Sequence, residues 1–198
     1  KALVTGSAGG IGKACALGMA KAGADVAVID LKEDMAKQTV EEIKALGRRS
    51  LYISCDVTDT DQVAAMVKQV VDEFGRLDIA FNNAGIASMG DIHSIDDEAL
   101  DVWQKVLDVD LHSVFYCCRE EAKYMIPQKY GKIINTASMS GTIVNNFPDT
   151  NVGLIAYCTA KAGVKHLTKS LAMGWVRHNI YVNSISPGYI VTPMTQFV

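Results

Sequence analysis

Between Thr5 and Gly12 the chain reads Thr-Gly-Ser-Ala-Gly-Gly-Ile-Gly, directly after the apolar run Ala2-Leu3-Val4. Glycines at 6, 10 and 12 have no Cβ, so the backbone there could approach a pyrophosphate and the following helix could lie close on a sheet. The start of that helix would offer free N–H groups and the positive end of its dipole to phosphate oxygens. Ile11, Ala14, Cys15 and Gly18 are expected to form its small inner face. The same glycines would also suit a tight strand–helix turn that binds nothing. A nucleotide-hydrolysing P-loop is a rival reading because Gly12-Lys13 is present. Against it, Ser7 stands where that motif's first Gly belongs, and Ala14 lacks the hydroxyl that would hold Mg²⁺.

Asp30 ends the next apolar run, roughly twenty residues after the glycines, where a carboxylate can hydrogen-bond both ribose hydroxyls of an adenosine. The same charge would repel a 2′-phosphate. Leu31 follows it, and no basic residue lies inside the glycine turn. These residues favour NAD(H) as cofactor and leave NADP(H) open. Asp30 could alternatively be a helix cap or a turn residue.

The elements that must position these groups are legible as an alternation. Strands are predicted at Ala2–Thr5, Asp25–Ile29, Ser50–Cys55, Ile79–Asn82, Lys132–Thr136 and Tyr181–Ile185, as near-continuous apolar runs of the kind buried on both faces. Between them, Val63, Met66, Val67, Val70 and Phe74 form one helical stripe, and Ala160, Val164, Leu167 and Leu171 form another. Gly23, Gly47 and Gly75 fall where helices should stop. Strand–helix alternation implies right-handed crossovers. The fold class is therefore α/β, a Rossmann-type doubly wound parallel sheet with helices on both faces. With no repeat or linker, residues 1–198 read as one dinucleotide-binding domain.

Composition excludes several other classes. The 198 residues are 49% apolar, enough for one sizeable core, and the net charge of −3 comes without any basic run to track phosphates. Nucleic acid is not an expected partner. No apolar stretch reaches the roughly 18 residues that cross a bilayer, and no signal peptide is expected. Cys15, Cys55, Cys117, Cys118 and Cys158 are odd in number and lack CxxC spacing, and the four histidines are scattered. Reduced thiols of a cytoplasmic protein and no metal site are expected.

With Asn82-Asn83-Ala84-Gly85 after the fourth strand, Tyr157-x-x-x-Lys161, and Pro187-Gly188 after the sixth, the whole chain resembles a short-chain dehydrogenase/reductase. The resemblance implies that Tyr157 takes or gives the hydroxyl proton of an alcohol/ketone substrate while the nicotinamide takes or gives a hydride. Tyr157 and Lys161 are four apart on a predicted helix and share one face. A free tyrosine titrates near 10, and an adjacent ammonium favours its phenolate. Ser138 would bind the substrate oxygen, with Ser140 as an alternative, and Lys161 would also hold the nicotinamide ribose. The resemblance further places Gly6, Gly10, Ile11 and Gly12 at the pyrophosphate, Asp56 and Val57 at the adenine, and Asn83 and Gly85 under the cofactor. Pro187, Gly188 and Thr192 would lie near the nicotinamide, Thr192 on its carboxamide. Asn82 could instead be structural, holding neighbouring strands together.

Three departures from the family stand out. Asp110 occupies a position where many members carry an Asn of a proton relay, and it could serve either structure or a modified relay. Between Ser138 and Tyr157 lie extra residues, including Asn145, Asn146 and Asp149, expected to wall the substrate pocket or to form a solvated loop. Members usually continue beyond Thr192 with a lid and a last strand, so a C-terminal part is expected to be missing. The serine turn, the asparagines and Asp110 are most similar to branches acting on sugars, ketoses or polyols. Hydroxysteroids, β-ketoacyl groups or a non-catalytic cofactor-binding sensor are the alternatives. The helix expected over Leu100–Met125 carries Trp103, Val106, Leu107, Val114, Phe115 and Tyr116, more apolar surface than one sheet face needs, which suggests a homodimer or homotetramer.

Overall fold

The computed structural model describes residues 1–86, 97–144 and 155–192, the side chains of residues 97–99 excepted. The strands are β1 (Ala2–Thr5), β2 (Val26–Ile29), β3 (Ser50–Ile53), β4 (Ile79–Asn82), β5 (Gly131–Thr136) and β6 (Ile180–Ile185). The helices are α1 (Gly10–Lys21), α2 (Glu33–Ala45), α3 (Thr60–Phe74), α4 (Asp97–Leu107), α5 (Ser113–Gln128) and α6 (Ile155–Trp175). Every strand pair is parallel, in the order β3-β2-β1-β4-β5-β6. That is the doubly wound Rossmann arrangement, in which ligands bind beyond the carboxyl ends of the strands where the order reverses. Here the reversal falls between β1 and β4.

Burial explains why the strands read as continuous apolar runs. Alternate residues of one strand enter opposite cores: Leu3, Ala27 and Ile29 pack with α3, α5 and α6, while Ala2, Val4, Val26 and Val28 pack with α1 and α2. The stripe Val63, Met66, Val67, Val70 and Phe74 is buried throughout α3, whose N-terminus is capped by the Asp59 carboxylate accepting from the N–H groups of Asp61 and Gln62. Gly75 ends α3 in the left-handed conformation.

Two local expectations need correction. The buried face of α1 is Gly12, Ala16 and Ala20, whereas Ala14 and Gly18 are exposed. Gly12 packs tightly against the preceding turn, and the buried residues follow it in steps of four. The expected single helix over Leu100–Met125 is divided by a π-helical turn, Asp108–His112, between α4 and α5. The wider turn changes the helical phase, and π-turns of this kind often occur at functional positions. Val106 and Val114 are buried, Trp103, Leu107 and Tyr116 are half-buried, and Phe115 is exposed.

Among the described residues no helix is long and apolar enough to cross a membrane, and no group of three His, Cys, Asp or Glu could hold a metal. The five cysteines are unpaired thiols.

Candidate active site

A cleft of about 1100 Å³ opens over the carboxyl ends of the strands. It is lined by Gly6, Gly10, Ile11, Asp30, Asp56, Val57, Asn83, Gly85, Asp110, Ser138, Tyr157, Lys161, Pro187, Gly188 and Thr192. The topology therefore brings together the expected catalytic and cofactor-binding residues, whereas Gly12 and the alternative serine, Ser140, are not among the lining. Cleft-lining residues not anticipated include Asp101, Gln104, Lys105 and Asp108. Asn145, Asn146 and Asp149, expected to wall the pocket, lie outside the described residues.

The glycine turn forms one end. Gly6 and Gly10 have φ of 64° and 54°, a region that L side chains seldom adopt. Gly9 caps α1 with no side chain on the first-turn N–H groups, so the helix end facing the cleft suits an anion. Gly12 has a different task. A Cβ there would fall 2.1 Å from the Gly6 carbonyl oxygen and 2.6 Å from the Asn83 side-chain nitrogen. Gly12→Ala is expected to cost about 1–3 kcal/mol by overpacking and to open the turn; urea unfolding measures the first effect. An unchanged midpoint would show that the turn yields freely.

Asp30 lies at the mouth of this turn. Its Oδ2 accepts from the Ala8 N–H at 2.9 Å and its Oδ1 from the Lys32 N–H at 3.0 Å. It is not the N-cap of α2, a place taken by Lys32. Two backbone donors fix the carboxylate while it still lines the cleft. Asp56 is held in the same manner, its Oδ1 accepting from the backbone and hydroxyl of Thr58.

Asn83 is a brace. Its Nδ2 donates to the carbonyls of Thr5 and Gly6, and its Oδ1 accepts from the Thr136 hydroxyl. The Thr5 hydroxyl oxygen accepts from the N–H groups of Asn83 and Ala84. These bonds lock together the ends of β1, β4 and β5. Asn82 turns to the other side, where its Nδ2 donates to Asn135 Oδ1 at 3.1 Å and Glu121 Oε2 at 3.2 Å. Asn135 in turn donates to the Thr168 hydroxyl. This network holds neighbouring strands, one of the two roles open to Asn82 from the sequence.

Glu121 had no sequence signal beyond a charge on an otherwise apolar face. It is fully buried, and desolvation pushes its carboxyl up to about 8 against the opposing hydrogen bond from Asn82. Glu121 Oε1 and Asn82 Oδ1 accept no hydrogen bond from described residues. A proton on the carboxyl converts one bare acceptor into a donor.

At the other end of the cleft, Ser138 precedes the 3₁₀ turn Met139–Gly141 and its Oγ accepts from the Ser140 N–H at 3.1 Å. That contact leaves the hydroxyl proton to donate elsewhere. A Met139 N–H···O Pro187 bond at 3.1 Å fastens this turn to the segment after β6. Thr192 lies beside Gly10: a Cβ on that glycine would sit 3.7 Å from the threonine side chain. On α6, the Lys161 ammonium is 5.6 Å from the centre of the Tyr157 ring. It donates to the Thr136 carbonyl at 3.1 Å and pairs with Asp110 Oδ1 at 2.9 Å. Asp110 is fully buried, and burial pushes its carboxyl above the ordinary carboxylate value against the pull of Lys161 and the Ile86 N–H.

A reversed parallel sheet, a glycine turn at a helix start, and a Tyr, Lys and Ser in one cleft define a dinucleotide-dependent oxidoreductase. Residues 1–198 match the family model described as short chain dehydrogenase, and the chain belongs to that family. It is 38% identical over 194 residues to a cyclohexanol dehydrogenase of Acinetobacter sp. (strain SE19), covering 98% of this chain and 74% of the relative. It is 40% identical over 196 residues to the sorbose reductase SOU1 of Candida albicans, covering 99% and 68%. A solved short-chain type dehydrogenase/reductase from Mycobacterium marinum superposes with a TM-score of 0.91 at 42% identity, over 98% of this chain and 74% of that one. The chain is thus a nicotinamide-dependent oxidoreductase acting on alcohol/ketone groups.

Proposed function

We propose that this chain is an NAD(H)-dependent enzyme that interconverts a secondary alcohol and a ketone on a sugar, ketose or polyol. The observation that carries the reading is one continuous cleft joining the fixed carboxylate of Asp30 to Tyr157 and Lys161. The residues present fit the dinucleotide: the left-handed Gly6 and Gly10 would admit its pyrophosphate, Asp30 its adenosine ribose, and Asp56 and Val57 its adenine. Lys161 donates to the Thr136 carbonyl and pairs with Asp110, and its ammonium, with three N–H donors, would also reach the nicotinamide ribose. When bound, the nicotinamide supplies or accepts the hydride.

The protein's own part is proton transfer and charge stabilisation. The Ser138 hydroxyl, oriented by the Ser140 N–H, donates to the substrate oxygen and stabilises the charge that develops there. The Tyr157 hydroxyl gives that oxygen a proton in reduction and its phenolate removes one in oxidation. Lys161 lies beside the ring, its ammonium 5.6 Å from the ring centre. Asp101, Gln104, Lys105 and Asp108 add hydrogen-bonding side chains to the cleft, as a polyhydroxylated substrate requires. Similarity to a sorbose reductase supports the same class. Exposed Leu100, Phe115 and Met173 are available for association into a homodimer or homotetramer.

The test is a titration of NADH against NADPH followed by nicotinamide fluorescence. NADH is expected to bind more tightly, with the preference reduced about tenfold or more in Asp30→Ala, the size of one charge-assisted hydrogen bond. Loosening of Ala8 in this variant affects both cofactors, so the ratio is the readout. A preference for NADPH would overturn the reading of Asp30. Turnover of cyclic alcohols or hydroxysteroids in place of ketoses and polyols would overturn the substrate class.

A further inference from the structure

The Asp110–Lys161 pair is an unusual arrangement for a catalytic cleft, because both side chains are almost wholly removed from solvent. Asp110 sits in the π-helical turn, which packs on α6. Its Oδ2 accepts from the Ile86 N–H at 3.3 Å. A Cβ on Gly85 would fall 2.6 Å from Oδ1, so this glycine leaves the space that the carboxylate occupies. Asp110, Gly85, Tyr157 and Lys161 all line the cleft. An asparagine would fill the same volume and accept the same N–H bond. What the aspartate adds is one negative charge, 2.9 Å from the ammonium.

Building on the functional reading above, we propose that Asp110 is a charge-setting, positioning residue. It makes Lys161 one half of a neutral buried pair, so that the cleft tolerates the positively charged oxidised nicotinamide and favours it relative to the reduced form. A lone ammonium beside the same site would repel the oxidised ring, and repulsion is strong where water is excluded.

The other charged groups near the pair are few among the described residues. From α6 the pair meets Tyr157; from α4, Asp101 and Lys105 line the cleft; within the π-turn, Asp108 and the His112 ring engage each other at 2.8 Å. The ends of β4 and β5 contribute Gly85, Ile86 and Thr136, all uncharged. Asp30 and Asp56 lie with the glycine turn, where the adenosine would bind, and act equally on both oxidation states of the cofactor.

The experiment measures dissociation constants of NAD⁺ and NADH for the wild type and Asp110→Asn. In the variant, NAD⁺ binding is expected to weaken about tenfold or more relative to NADH. An unchanged ratio would make Asp110 merely structural and overturn the proposal. Should the variant fold poorly, the wild type alone decides: the preference for NAD⁺ must decline as acid protonates Asp110, and a ratio flat with pH would overturn it. If the wild type binds neither nicotinamide form, the functional reading itself fails, an outcome distinct from either result in the variant.

Discussion

Replacing Tyr157 by Phe is expected to lower kcat/KM by about 10²- to 10⁴-fold in both reaction directions, with the dissociation constant for NADH held within about twofold. The substitution removes one oxygen and keeps the ring. The ring is half-buried on α6 with the Lys161 ammonium 5.6 Å from its centre, and that contact survives. Lys161 also remains anchored by the Thr136 carbonyl and Asp110, so its orientation does not depend on the phenol. The loss therefore falls on proton transfer. Steady-state kinetics and a fluorescence titration on the same preparation separate the two effects. Full turnover by the variant would remove Tyr157 as the acid/base. Equal losses in binding and turnover would assign it to cofactor positioning.

Glu121→Gln is expected to stabilise the protein, and by more as the pH rises. The unfolded chain releases the Glu121 proton near 4.5, whereas the folded protein holds it to about 8. Because the folded value is raised, this group's contribution is most favourable below 4.5. It is lost progressively as the pH climbs to about 8 and is constant beyond. Each unit of displacement corresponds to about 1.4 kcal/mol, so the wild type forfeits up to about 5 kcal/mol across that window. Glutamine does not titrate, and its N–H₂ supplies the donor that the protonated acid supplies. Urea unfolding of both proteins between pH 5 and 9 should show nearly equal midpoints near pH 5, a gap that widens up to about pH 8, and a constant gap beyond. Curves that stay parallel would mean that Glu121 is ionised in the folded state.

The active site rests directly on this network, which gives the second prediction a functional edge. Asn82 and Asn135, which meet above Glu121, immediately precede Asn83 and Thr136. Those two brace the glycine turn and hold the Lys161 ammonium.

Much of this protein is written in short-range patterns. The strands were legible to within two residues because burial on both faces demands unbroken apolar runs. The glycine turn, Asp30 and the four-residue step from Tyr157 to Lys161 were legible because each depends on local conformation and on the periodicity of one element. Other features had no local signature. The phase of α1 follows from the contact between Gly12 and the Gly6 carbonyl, and the residues Ala14 and Gly18 look as small as the ones actually buried. The π-turn arises within an unbroken helical pattern, where one extra residue per turn leaves no mark on composition.

The sequence by itself determined the sheet, the glycine turn and the shared helix face of Tyr157 and Lys161, since apolar runs, glycines and helical spacing act over a few residues. Only the tertiary structure decided that Asn83 is a brace, that Asp110 pairs with Lys161, and that Glu121 is sealed from solvent. Each of those outcomes turns on which distant side chains share a space without water, and desolvation and pairing are properties of that shared space.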